Sequence, residues 1–245
     1  VAVKQNFADQ QLPGAIILYS GNGSQTLTNS NLITQISFTH IQNRTATKFF
    51  ITGQIGSLQY IDSSFLNQSG GIKSNYKNQQ LNFGGNWRFS MTPKTTIYAN
   101  CENQLSELIA SNEIIGKPVR NHFFSVVGVK KNWKYFQATG QLSSQNINET
   151  NKITSQRNYF KINPFLQLES SNLLKKYTLN FMLFYRNSFR VPSFNDLYYN
   201  SIGNSKLKPE TANQFSVGNY FHWNIAKLEF INRFSVYYNQ VDNKI

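Results

Sequence analysis

From Gln79 to Met91 apolar and polar side chains alternate almost one for one. Leu81, Phe83, Gly85, Trp87, Phe89 and Met91 share one parity, and Asn82, Gly84, Asn86, Arg88 and Ser90 share the other. A period of two is the geometry of a strand with one apolar and one polar face. The run outlasts an average strand of about 5–6 residues and matches the roughly 9–11 that a tilted strand needs to cross a bilayer. The same alternation places Phe49, Ile51, Gly53 and Ile55 on one face, and likewise Phe136, Ala138, Gly140 and Leu142. It continues through Phe160, Ile162, Pro164, Leu166 and Leu168, and through Tyr177, Leu179, Phe181, Leu183 and Tyr185. Pro164 has no N–H to give a ladder, so its strand needs a bulge or a break there. The pattern predicts about ten strands, near 32–41, 48–60, 78–91, 95–106, 120–130, 134–144, 158–169, 176–188, 211–222 and 227–240,. Residues 120–130 carry apolar side chains on both parities and read less cleanly. No segment of useful length has a helical period.

The connections alternate between short and long. Long ones fall near 61–77, 107–119, 145–157 and 189–210, each rich in Asn, Ser, Gly or Lys, so all of them emerge at one end of the sheet. Short turns at one rim and long loops at the other describe an antiparallel transmembrane β-barrel. Aromatic residues near strand ends, among them Tyr60, Trp133, Tyr185, Trp223 and Tyr237, suit its interfacial girdles,. The competing class is a soluble or surface-exposed β-sandwich that binds or adheres without transporting anything. Strand length and loop asymmetry count against it.

Composition sharpens this picture. Charged residues make up 14% of the 245, aromatic residues 15% and apolar residues 40%. That combination suits a wall with one dry and one wet face better than a soluble surface. No run of 18 apolar residues exists to make a membrane-spanning helix. The start, "VAVKQNFADQQ", has no basic stretch followed by an apolar one, and so does not read as a signal peptide,. The net charge of +13 is spread without a basic stripe interleaved with stacking aromatics, so no nucleic-acid partner is expected,. Attraction to an anionic lipid surface or an anionic ligand accounts for it equally well. The single cysteine, Cys101, forms no internal disulfide and reads as a small packed residue. His40, His122 and His222 lie far apart, outside any metal-binding spacing,. No nucleophile elbow or phosphate loop appears, so neither enzymatic activity nor a metal or other cofactor is expected.

One stretch stands apart: "FRVPSFNDLYYNSIGNSKLKPET" from Phe189 to Thr211. It resembles the barrel signature of TonB-dependent outer-membrane receptors. There Phe-Arg/Lys-x-Pro-x-hydrophobic is followed by Leu-Tyr and then Gly-Asn-x-x-Leu-Lys-Pro-Glu. Phe189, Arg190, Pro192, Phe194, Leu197, Tyr198, Gly203, Asn204, Leu207, Lys208, Pro209 and Glu210 match it position by position. The final "FSVYYNQVDNKI" is similar to the family's next hairpin, and "LPGAII" (Leu12–Ile17) resembles a segment of the vitamin B12 and iron-chelate branch. The resemblance implies a 22-stranded barrel around an N-terminal plug. On that reading residues 1–245 are a partial barrel domain with the plug and the C-terminal strands absent. It further implies a receptor taking up cobalamin, a ferric siderophore or a similar scarce nutrient, surrounded by outer-membrane lipid and energised by the TonB complex through the plug. Phe189–Leu197 is expected to extend the wall upward and Tyr198–Lys208 to form a loop tip, where Tyr198, Tyr199 and Asn204 meet ligand. Arg190 and Glu210 are placed to pair across its base. The plainer alternative is that these residues brace the loop.

Overall fold

The computed structural model describes residues 2–12, 25–62, 71–111, 116–152, 156–170, 178–199, 203–225 and 228–245. Its strands are β1 (Ala2–Leu12), β2 (Gln25–Gln42), β3 (Thr45–Asp62), β4 (Ile72–Thr92), β5 (Thr95–Ala110), β6 (Val119–Asn132), β7 (Phe136–Thr150), β8 (Arg157–Ser170), β9 (Thr178–Arg190), β10 (Glu210–Ile225) and β11 (Leu228–Asp242). All eleven lie in one antiparallel sheet, in the order of the sequence. A sandwich needs a second sheet to face the first. The described residues form none, which removes the sandwich alternative.

The alternation decides the two faces. Ladder partners share a face, so Ile51 opposite Phe83 and Leu81 opposite Leu105 carry the apolar surface from strand to strand,. That surface is uncovered: Phe49 is 58% exposed, Leu166 59% and Phe234 62%. The opposite face carries Asn82, Asn86, Gln104, Gln141 and Gln145. Strands of 11 to 21 residues cross far more than an average sheet needs,. No helix among the described residues is long and apolar enough to span a membrane.

At one rim the strands are joined by the short turns Asn43–Arg44 and Pro93–Lys94 and by residues 133–135. Asn43 sits at φ 47°, in the left-handed region that asparagine tolerates,. The longer connections gather at the other rim, as the sequence leads one to expect. Pro164 marks a further feature. β7 and β8 pair along their whole length, but β8 and β9 pair only from Phe165↔Arg186 to Glu169↔Met182. The ladder stops beside the proline, and above it the two strands part. This is the break that the missing N–H calls for.

The structure departs from the sequence reading in two elements. Strand β1, absent from the ten expected, pairs with β2 from Ala2↔Gln35 to Leu12↔Gln25. Lys4 and Asp9 interrupt its alternation, so backbone pairing to β2 rather than a periodic face specifies it. A five-residue helix, α1 (Phe194–Tyr198), also forms where no helix was expected. It is too short to show a period. Of "LPGAII", residues 13–17 lie outside the described residues.

A cross-strand contact on the polar face gives a first prediction. Tyr98 lies across Gly128 and donates to Gln141 at 3.0 Å, so β5 reaches over β6 to β7. A Cβ at position 128 would come within 2.3 Å of that ring. Gly128→Ala is expected to swing the ring away and cost about as much as Tyr98→Phe, ~1 kcal/mol, the worth of the lost hydrogen bond. Thermal unfolding of the two variants checks this.

Candidate functional site

The segment between β9 and β10 is built from local rules. Pro192 ends the strand and holds Val191 extended. Ser193 follows with φ −69° and ψ 166°, and its hydroxyl accepts from the Asp196 N–H while the Asp196 carboxylate accepts from the Ser193 N–H. This capping box starts α1. Beyond the helix, Gly203 N–H donates to the Tyr199 carbonyl at 2.8 Å and Asn204 N–H to the Asp196 carbonyl at 2.7 Å. A Cβ on Gly203 would sit 2.7 Å from backbone atoms of Tyr199, so only glycine fits this close return,. Asn204 then accepts from the Lys206 N–H through its side chain at 2.9 Å.

The segment does not extend the wall upward. It folds back across the polar face of the sheet and packs there like a strap. Pro192 is fully buried, Leu197 is 3% exposed and Tyr198 7%. Leu197 and Tyr198 close on Tyr76 and Leu108 from β4 and β5, with Leu58, Phe194, Tyr199 and Leu207 around them. Tyr199 stacks on Tyr76 with centroids 4.1 Å apart. The physical reason is apolar area: five large side chains between Phe194 and Leu207 find a dry seat on Leu58, Tyr76 and Leu108,.

Glu149, near the end of β7, is the anchor. Its carboxylate is 3% exposed and receives Arg120 through Nε at 2.8 Å and also through Nη2, with Arg157 at 3.9 Å and the Tyr198 hydroxyl donating to Oε1. Arg120 also donates to the Pro192 carbonyl at 2.8 Å and lies 4.8 Å from the Phe194 ring centroid. Arg157 donates to the Ser205 carbonyl. Two guanidinium groups on the wall thus grip the strap at both its ends through its backbone. Arg190 and Glu210 are ladder partners, as expected, but the ion pair at the base is Arg190 with Asp196 at 3.8 Å. Glu210 instead accepts from the Ile245 N–H.

The motif residues therefore divide. Pro192, Leu197 and Tyr198 are buried, Phe194, Leu207, Pro209 and Glu210 are half-buried, and Arg190, Gly203, Asn204 and Lys208 are exposed. Phe189 sets its ring 6.2 Å from Tyr159. Of the three residues expected at a ligand, Tyr198 spends its hydroxyl on Glu149, Tyr199 is half-buried on Tyr76, and Asn204 is open. Between α1 and the wall a cavity of about 230 Å³ is lined mainly by amides (Gln54, Asn78, Gln80, Gln104 and Asn195), with Ser106, the Glu107 carboxylate, Arg120 and Phe194 beside them. Amides and a hydroxyl with one aromatic wall make a cradle for a ligand rich in hydrogen-bonding groups. Arg120, Glu149, Arg157 and Tyr76 are missing from the sequence reading. The available signal for Glu149 is its scarcity, one of 11 carboxylates, on the polar parity of its strand.

The strap has a defined response to acid. Burial pushes the Asp196 carboxyl up, but hydrogen bonds from the Ser193 hydroxyl and N–H, with Arg190 and Arg120 nearby, outweigh it and hold the group below the usual carboxylate range. A depressed folded value means that its contribution is complete above the ordinary value of about 3.9 and fades as pH falls through the lower one. The cap is thus expected to stay closed through mildly acidic conditions. Ser193→Ala is expected to cost ~1 kcal/mol of cap stability at neutral pH. Protease cleavage near Lys206 and Lys208 as a function of pH reads both effects.

No family model matches the sequence, and no curated protein matches it. Solved structures do match its fold. The copper transporter OprC shares 13% identity at a TM-score of 0.65, with 89% of this chain and 39% of that one covered. The hemophore receptor HasR of Serratia marcescens, solved with its hemophore and heme, shares 14% at 0.58, covering 99% and 45%. The ferric-catecholate import receptor Fiu of E. coli K12 shares 10% at 0.62, covering 91% and 42%. The fold is that of a TonB-dependent receptor barrel wall. This chain spans about two-fifths of the length of those receptors.

Proposed function

We propose that this chain is part of the barrel of an outer-membrane receptor for TonB-energised uptake of a scarce nutrient. The observation that carries the reading is the pairing of an uncovered apolar face with an amide-lined polar face crossed by the signature segment. The first face suits outer-membrane lipid and the second a polar small molecule on its way inward. Residues 1–245 make up one partial barrel domain on this reading. On this reading a plug domain, as in receptors of this kind, would engage the TonB complex. The chain acts as a transport wall and not as an enzyme. Among the described residues no three His, Cys, Asp or Glu side chains gather where they could hold a metal ion.

A ferric siderophore, heme-like chelate or cobalamin all fit the proposed class. The amide-lined cradle under α1 favours a ligand whose periphery offers many acceptors and donors. Arg120 there is committed to Glu149 and Pro192, so selection rests on Asn78, Gln80, Gln104, Glu107 and Asn195.

Topology is the direct test. A cysteine at exposed Ser205, in the full receptor on intact cells, is expected to react with a membrane-impermeant thiol reagent. One at Lys94, in a short turn at the opposite rim, is expected to stay unlabelled until the cells are opened. Labelling at Lys94 alone would invert the wall and take the strap away from the ligand-facing side.

A further inference from the structure

The rim of short turns gathers cations without a counter-charge. Arg44, Lys94 and Lys134 in the turns and Lys131 at the end of β6 are all exposed. None of them is in an ion pair among the described residues. Backbone hydrogen bonds hold the turns side by side. The Arg44 carbonyl accepts from the Ser90 N–H at 2.8 Å, and the Lys94 carbonyl from the Asn132 N–H at 2.7 Å. Arg44 also donates through Nη1 to the Met91 carbonyl at 3.3 Å. The ladders reach these turns, closing at Gln42↔Thr45, Thr92↔Thr95 and Asn132↔Gln137. From the first turn to the last is four strand spacings, about 19 Å. No Asp or Glu occurs in residues 36–61, 72–101 or 119–148, which cover this rim. Glu169, at the turn end of β8, accepts from Gln137 at 3.2 Å and from Gln167. The opposite rim mixes signs, with Lys73, Lys77, Glu107 and Glu149 toward the ends of their strands. Exposed apolar surface runs up to the cations through Met91, Val129 and Phe136. Lys131 Nζ lies 5.2 Å from the Trp133 ring centroid, and Lys134 Nζ 5.0 Å from that of Tyr135.

We infer that this rim docks on anionic phospholipid, with Arg44, Lys94, Lys131 and Lys134 taking headgroup phosphates while Met91, Val129 and Phe136 enter the acyl layer. The inference rests on the transport-wall reading, which sets the apolar face in lipid, and adds which headgroup this rim selects. Aromatic rings and cations at the edge of an apolar band suit the boundary between hydrocarbon and headgroups. The missing carboxylates decide the class of lipid. A zwitterionic headgroup brings its own ammonium beside each phosphate, and nothing at these turns would pair with it. An anionic headgroup such as phosphatidylglycerol brings none. Nucleic acid would meet the cations but leave the apolar edge in water, and Trp133 and Tyr135, on which its bases would stack, each hold a lysine,.

The test uses the full receptor folded into phosphatidylcholine vesicles that carry a trace of photoactivatable lipid. The probe is either phosphatidylglycerol or phosphatidylcholine, with the reactive group near the glycerol, and adducts are located by mass spectrometry. At residues 91–95 and 129–136 phosphatidylglycerol is expected to react about five-fold more than phosphatidylcholine, the effect of one basic residue near an anionic headgroup. Around Lys73 and Lys77 the two probes should react alike. Replacing the cations together (Arg44→Gln, Lys94→Gln, Lys131→Gln and Lys134→Gln) should bring the ratio at the turns to about one and leave the other rim as it was. Equal reaction of the two probes at the turns would overturn the inference, as would a phosphatidylglycerol excess that survives the substitutions. So would a lack of adducts there from either probe, which would put the rim in water or against protein. In each of these cases adducts on the apolar face at Leu81 and Phe123 leave the transport-wall reading intact. A receptor that does not enter the vesicles at all overturns both.

Discussion

Replacing Glu149 by alanine is expected to release the strap from the wall and destabilise the rim that carries it by roughly 3–5 kcal/mol, the usual penalty for removing one partner of a buried ion pair. The size follows from what is left behind. Arg120 and Arg157 have side chains only 12% and 16% exposed, and both would lose their carboxylate. The Tyr198 hydroxyl, itself buried, would lose its acceptor as well. Two like charges would then face each other across the seat of the strap. Limited proteolysis should report the loss as cleavage after Arg190, Lys206 and Lys208, while the turn end of the sheet keeps its protection. Glu149→Gln preserves the shape and an acceptor for Tyr198 but not the charge. It should fall between the wild type and the alanine variant. If both variants resist protease like the wild type, apolar packing alone holds the strap, and the ion pairs contribute nothing measurable.

The second large effect concerns the two faces. Phe83→Arg is expected to cost about 2–4 kcal/mol if position 83 lies near the bilayer midplane, and Asn82→Arg little. The two residues are neighbours in sequence, share β4, and differ only in the face they present. Phe83 is 44% exposed on the apolar side, opposite Ile51, whereas Asn82 faces the polar side opposite Thr52 and Gln104. Folding into lipid vesicles, followed by the shift in gel mobility between folded and unfolded barrel, reads the difference. Equal tolerance of both substitutions would mean that the apolar face does not meet lipid.

These two predictions draw on different kinds of legibility. The face of Phe83 follows from parity within a dozen residues of sequence, and the same local rule yields most of the strands, the position of the short turns and the break at Pro164. Strand β1 escapes that rule because Lys4 and Asp9 blur its alternation, and only pairing to β2 reveals it. The strap is harder. Its capping box and its glycine return are local and could be read from Ser193, Asp196 and Gly203. Its direction is not, because the contacts that turn it inward join Tyr198 to Glu149 across 49 residues and Arg120 to Pro192 across 72. Nothing in the segment itself says that Tyr198 will find a carboxylate or that Tyr199 will find Tyr76. The tyrosines look like ligand contacts in the sequence because an aromatic pair in a long loop has two possible uses. Here the available partner on the wall decides which one prevails.

The strap begins at the end of β9 and lands on β4, after crossing above β8, β7, β6 and β5. Five strand spacings amount to about 24 Å along the sheet. A span that leaves one end of an arc and rejoins it further along is a tie beam. It carries tension when the arc tries to flatten, and it does so over the one place where the wall is poorly stitched, the five-pair ladder between β8 and β9. Among the described residues no such member crosses the rim of short turns. The wall is therefore stiff at one mouth and compliant at the other. Amide exchange should be slow in the strap-side halves of β4 to β7 and faster toward the turns.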